Sequence, residues 1–244
     1  MNAPFIRRVA AEAIGTGLLV AVVVGSGIQA TELSHDAGVQ LLANSLATVF
    51  GLGLLILLLG PVSGAHFNPV VTLAVWLTGR RDPEGLALRD GAAYVSAQVV
   101  GAIGGAVLAD AMFAEPLVKF STHDRSAGHL LLGEVVATTV LILLIFGLNR
   151  IGRAALAPAA VAAYIGAAYW FTSSTSFANP AVTIGRAFTD TFAGISPASV
   201  APFIAAQLSG AVLGLGAVSL VYGRPSPVPE EVVVPHGESE PVVS

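Results

Sequence analysis

The 244-residue sequence contains no cysteine, so disulfides, thiolate metal ligands and a cysteine nucleophile are all excluded. Charge is also scarce. Asp, Glu, Lys and Arg make up 11% of the chain, against about 25% in an average soluble domain. Eleven cations and fifteen acids cannot cover a soluble surface of this size, while 55% of residues are hydrophobic and mean hydropathy is +0.80. The chain is therefore an integral membrane protein. A net charge of −4 and the lack of any basic stripe argue against a nucleic-acid partner. No G-x-S-x-G elbow occurs, and no histidine lies deep in a long apolar run to act as a base, so an intramembrane hydrolase is a poor reading. The N-terminus leads into an apolar stretch without an A-x-A-type cleavage site, which reads as a first span and not a removed signal.

A hydrocarbon core of about 30 Å takes about 20 helical residues to cross. Six segments are long enough: 8–30, 39–60, 90–113, 127–148, 154–174 and 198–222. In lipid each must satisfy its own backbone groups, which makes them helices. Two shorter apolar pieces remain, Asn68 to Leu77 and Asn179 to Phe188. Each would form about 15 Å of helix, half a membrane. Both begin with Asn-Pro, an N-cap residue followed by a residue suited to the first helical turn.

These half-spans belong to a repeat. Glu12 pairs with Glu134, Asn68 with Asn179, Gln98 with Gln207 and Gly101 with Gly210, at offsets of 122, 111, 109 and 109. Each half, about 8–113 and 127–222, holds three spans and one half-span. Three is odd, so the second half inserts upside down, as in channels and transporters built from inverted repeats. The expected fold is an all-α membrane protein with six transmembrane helices and two re-entrant half-helices. Eight of the eleven cations (Arg7, Arg8, Arg80, Arg81, Arg89, Arg150, Arg153 and Arg224) fall on the side of the termini, which places both termini in the cytoplasm. The expected location is the cell's inner (plasma) membrane. Residues 1–222 form one channel domain, and the Pro- and acid-rich segment 223–244 reads as a disordered cytoplasmic tail.

A helix N-terminus offers unpaired N–H groups and about half a positive charge. Two such ends meeting at the membrane centre repel cations and protons but admit an uncharged solute. Each Asn side chain adds donors, and the preceding loops, Gly64-Ala65-His66 and Phe177-Ala178, supply carbonyl acceptors beside a water-filled cavity.

The motifs Ser63-Gly64-Ala65-His66-Phe67-Asn68-Pro69-Val70-Val71-Thr72 and Phe177-Ala178-Asn179-Pro180-Ala181-Val182-Thr183, with the two membrane glutamates, resemble the aquaporin (major intrinsic protein) family over about residues 8–222. The resemblance implies a passive channel and a homotetramer with one pore per protomer. No cofactor or metal is expected, since His35, His123 and His129 have no regular ligand spacing. It makes Asn68 and Asn179 the central donors and Glu12 and Glu134 buried supports for the loops. The first motif carries Val70 where the family usually has alanine. Three residues after Asn179, relatives usually carry an arginine, and here stands Val182. Counting back without gaps puts Thr48, Ala167 and Ser176 at the other filter positions. A second loop two residues longer would replace Ala167 with Ile165, and Phe50 competes with Thr48 if the second span is shifted.

A filter of Thr48, Ala167, Ser176 and Val182 is expected to be wide and without fixed charge. Arg186, one turn beyond Val182, either reaches back towards the mouth or bonds loop carbonyls or Asp190. The run from Phe177 to Ile195 looks most like bacterial members associated with arsenical resistance. That resemblance implies passage of arsenite as neutral As(OH)₃ alongside glycerol-like polyols and some water. The alternatives are a water-selective pore and, in another class, an ion-coupled transporter. His66 is expected to hold its loop by hydrogen bonds, with pH gating as the rival role. Gln98 and Gln207 are expected to bond between helices, and Gly101-x-x-x-Gly105 and Gly210-x-x-x-Gly214 to form close-packing faces.

Overall fold

Each long apolar run folds as one helix in the computed structural model, which describes residues 3–83 and 85–223. The spans are α1 (Phe5–Leu33), α2 (Ala37–Ser63), α4 (Leu88–Met112), α5 (Gly128–Arg150), α6 (Ala157–Phe171) and α8 (Pro197–Tyr222), and the half-helices are α3 (Pro69–Gly79) and α7 (Pro180–Gly185). All six spans are long and apolar enough to cross a bilayer, α6 together with the 3₁₀ turn Ala154–Leu156 that leads into it. The second half-helix is shorter than its sequence suggests, because a 3₁₀ turn, Arg186–Phe188, follows Gly185. The tail from residue 224 and Arg224 lie outside the described residues.

The two halves repeat the same packing: α1 lies on α4 and α5 on α8. Small residues let these backbones approach. A Cβ on Gly101 would stand 2.1 Å from the Ala13 carbonyl oxygen, and one on Gly105 would stand 2.0 Å from that of Gly17. Gly210 and Gly214 face the α5 backbone in the same way. Replacing Gly105 with valine forces α1 and α4 apart, a steric penalty of about 1–3 kcal/mol or more. The expected result is a lower midpoint in a detergent thermal melt, checked against Gly104→Val, since a Cβ at Gly104 meets nothing within 4 Å.

Both half-helices start as their Asn-Pro dipeptides dictate. Asn68 Oδ1 accepts from Val70 N, and Asn179 Oδ1 accepts from Ala181 N and Val182 N, while Pro69 and Pro180 open the first turns. Each half-helix contacts α8 and the two also touch one another, so the loops that precede them meet inside the bundle.

Candidate functional site

The central element is a reciprocal tie between the halves. Asn68 Nδ2 donates to the Ala178 carbonyl at 2.8 Å, and Asn179 Nδ2 donates to the Phe67 carbonyl at 2.7 Å. A side-chain amide has two N–H donors. One of each pair therefore locks the halves together, and only the second remains for a solute, fewer than the sequence alone suggested.

Two buried carboxylates hold the loops in place. Glu12 accepts from Ser63 Oγ, the His66 and Phe67 amides and Gln98 Nε2, at 2.6, 3.0, 2.7 and 2.7 Å. Glu134 accepts from the Phe177 and Ala178 amides and Gln207 Nε2, at 2.9, 2.8 and 2.6 Å. Each glutamine also donates to a half-helix threonine, Gln98 to Thr72 and Gln207 to Thr183, so it bridges two helices and a loop. Pro180 and Ala181 are buried with Pro69's neighbour Val70, whose added bulk faces the core at 0% exposure and not the cavity.

With both loop ends pinned, the backbone between them is strained in matching places. Ala65 and Phe67 in the first loop, and Ser176 and Ala178 in the second, all have φ between 47° and 54°. Non-glycine residues rarely adopt this region, and it persists only where the surroundings impose it. The carbonyls of Ala65, His66, Ser176 and Phe177 receive no hydrogen bond from any described residue. Buried acceptors of this kind need water or a solute.

These groups line one cavity of about 70 Å³, where a single water needs about 10–15 Å³. Asn68, Asn179, Ala65, His66, Phe177, Ala178, Thr48, Ser176 and Val182 all lie along it. Its other wall is apolar, with Leu19, Val23, Leu52, Ile56, Leu141 and Ile145 among its residues. Ser176 Oγ and His66 Nε2 are buried without a hydrogen-bond partner and belong to the same lining. His66 Nδ1 meets Thr72 Oγ1 at 3.0 Å, so one ring nitrogen holds the loop while the other is free for the passage.

Two expectations are corrected at the mouth. Ala167 does not line the cavity; it is exposed on the outer face of α6. Val161, Ile165 and Tyr169 form the lining stripe instead, at i, i+4 and i+8 on one helix face, as the longer second loop requires. Tyr169 places its hydroxyl 3.1 Å from Thr48 Oγ1. Phe50 is 65% exposed and leaves the position to Thr48.

The second correction concerns charge. The mouth is not uncharged, because the Arg186 guanidinium lines the same cavity and is only 5% exposed. The 3₁₀ turn after α7 folds it back, its Nε donates to the Ala193 carbonyl, and its Cζ lies 3.4 Å from the Phe177 ring centroid. Both roles considered for Arg186 are thus combined. Asp190 is engaged elsewhere, by Lys119 at 3.0 Å and by the Thr122 amide and hydroxyl. Neither Tyr169 nor the folded-back guanidinium carried a signature in the motif, since both depend on where α6 and the turn end.

The Asp190 cluster ties the loop after α4 to the loop after α7. The Thr122 amide and Lys119 hold its carboxyl down at about 2, below the ordinary 3.8. A depressed carboxylate stabilises the folded loop above its unfolded value and loses that contribution as pH falls towards the folded value. The protection factor of the Thr122 amide, its exchange rate measured against the intrinsic rate at each pH, should therefore be highest near neutral pH and fall between about pH 4 and 2. Asp190→Asn should remove that pH dependence.

Two opposed half-helices, cross-tied at their caps and flanking a continuous lined cavity inside six spans, define a membrane channel. Residues 1–176 match the family described as Major intrinsic protein. Aquaglyceroporin AqpS of Rhizobium meliloti is 51% identical over 209 residues, covering 86% of this chain and 87% of its own length. The glycerol uptake facilitator protein of Pseudomonas aeruginosa is 30% identical over 261 residues, covering 89% of each. The solved aquaglyceroporin of Plasmodium falciparum shares the fold, with a TM-score of 0.61 at 18% identity, over 88% of this chain and 96% of that one. The chain belongs to the major intrinsic protein family. It is a multi-pass membrane channel of the aquaporin and aquaglyceroporin class, and not an enzyme.

Proposed function

We propose that this channel passively conducts small neutral polyhydroxy solutes, glycerol-like polyols and arsenite as As(OH)₃, with some water, and excludes ions and protons. The observation that carries the reading is the two-sided passage. Aliphatic side chains such as Leu52, Ile56 and Ile145 form one wall, while unclaimed carbonyls, Ser176 Oγ and the second N–H of each cap asparagine line the other. A polyol has one face of each kind. Val182, apolar at the mouth, gives its carbon edge a surface to slide along. The family names support the polyol reading: AqpS is an aquaglyceroporin and the Pseudomonas relative a glycerol uptake facilitator. The run from Phe177 to Ile195 supports arsenite. Ion exclusion follows from the paired half-helix N-termini and from the Arg186 guanidinium, all positive towards a cation.

The working form is a homotetramer in the cell's inner membrane with both termini cytoplasmic, each protomer carrying its own pore. A second reading, a water-preferring pore, is favoured by the Tyr169 hydroxyl and Arg186 at the mouth. Uptake assays in proteoliposomes separate the two. Glycerol and arsenous acid should each enter at least about tenfold faster than into empty vesicles, a barrier difference of about 1.4 kcal/mol. Fast water entry with solute entry at the empty-vesicle rate would establish the water-preferring pore instead.

A further inference from the structure

Outside the mouth lies a second cavity of about 360 Å³, lined by Asn44, His123, Arg125, Thr175, Arg186 and Phe192 with α2 residues Ala37 and Leu41. Arg186 lines both this vestibule and the passage beneath, so its side chain stands between the two. None of these lining residues is acidic.

The two arginines are held as a pair. Arg125 Nε donates to the Gly194 carbonyl at 3.0 Å, and Arg186 Nε donates to the adjacent Ala193 carbonyl. Both guanidiniums lie against the Phe177 ring, with Cζ at 5.1 and 3.4 Å from its centroid. Each fork is thus fixed at its inner nitrogen and by ring contact. The terminal nitrogens of both have no acceptor among the described residues, and Arg186 is more than nine-tenths buried. The neighbouring acids point elsewhere: Asp124 accepts from Ser126 and Ser199, and Asp190 pairs with Lys119. Glu134 is the carboxylate that acts on both arginines, but its oxygens are taken by the Phe177 and Ala178 amides and Gln207, so neither guanidinium is hydrogen-bonded to it. Two like charges held together repel each other, and a guanidinium fork matches an oxyanion bidentately.

We infer that this vestibule is a binding site for a small tetrahedral oxyanion, gripped between Arg125 and Arg186 above the mouth. The bound anion neutralises the pair and obstructs the path to Val182, so it reduces solute flux without passing through. The site is independent of which neutral solutes the pore carries, and binding can be read without any flux.

The test uses inorganic phosphate and the purified full-length channel. Isothermal calorimetry at constant ionic strength, with chloride as the balancing anion, should give saturable phosphate binding. Arg125→Gln should weaken it by about tenfold or more, the loss of one charge-assisted fork. His123→Glu, at an exposed position of the same lining, leaves the loop bonds intact and supplies an internal carboxylate. It should weaken phosphate at least as strongly. In proteoliposomes with phosphate on both faces, glycerol entry should fall severalfold in the unmodified channel and be unaffected in His123→Glu. Phosphate binding indistinguishable from chloride, or equal in all three proteins, would overturn the assignment.

Discussion

Substituting Glu134 with leucine should abolish solute flux, by about a hundredfold or to the empty-vesicle rate, and cost several kcal/mol of stability. The Phe177 and Ala178 amides and Gln207 Nε2 all converge on this carboxylate, which is fully buried. Each buried donor left unsatisfied costs about 1–3 kcal/mol. The loop they hold contains Ser176 and Ala178 in the left-handed region, a conformation that relaxes once its ties are cut. Relaxation there moves the Ala178 carbonyl away from Asn68 and breaks the tie between the halves. Glu134→Gln retains an acceptor oxygen but turns an NH₂ towards one of the donors, so it should fall between the two. Thermal melts and solute uptake on the same preparations check the series. Glu12→Leu should repeat the result through the first loop, because four donors converge there. Unimpaired uptake by both leucine variants would mean that the carboxylates do not support the passage.

The second large effect is expected at Val182. Replacing it with arginine sets a long cation into the lining one helical turn from Arg186. The new side chain narrows the mouth and removes the apolar surface opposite Thr48 and Tyr169. Glycerol and arsenous acid entry should fall by about tenfold or more, a barrier increase of about 1.4 kcal/mol or above. Water, which needs no apolar wall, should slow much less, so the ratio of water to glycerol permeability rises. The two guanidiniums also repel, and part of the loss will come from displacement of Arg186 off Phe177. Val182→Ala separates the effects, since it shortens the apolar side chain without adding charge and should leave glycerol entry within about twofold of the original. Equal solute entry in the valine and arginine forms would remove Val182 from the account of selectivity.

The architecture was legible in the sequence because the membrane imposes simple rules. Apolar runs of sufficient length became α1, α2, α4, α5, α6 and α8, and Asn-Pro marked the start of both half-helices. Glycine spacing on α4 and α8 gave the close-packed faces, and the glutamate and glutamine offsets gave partners that meet in the folded chain. The mouth was less legible. Which α6 residues face the cavity depends on the length of the following loop, and a shift of two residues turns Ala167 out and brings in Ile165 and Tyr169. Arg186 could be placed near the mouth by counting one turn, yet its direction was set by the 3₁₀ turn and by the Ala193 carbonyl and Phe177 ring. Neither partner is adjacent to it in sequence. The cross-tie between Asn68 and Asn179 was hidden for the same reason, as each side chain bonds the other half's loop.

What distinguishes a channel of this fold from a coupled transporter is a passive route for uncharged solutes between the two half-helices. It is tested most directly by initial rates of glycerol entry into proteoliposomes that carry a pH-sensitive dye inside, over a wide range of gradients. Entry should be proportional to the gradient, unchanged by an imposed proton gradient, with no change in internal pH. Entry that saturates and moves protons with the solute would contradict it, and would mean that the same fold works as a coupled transporter.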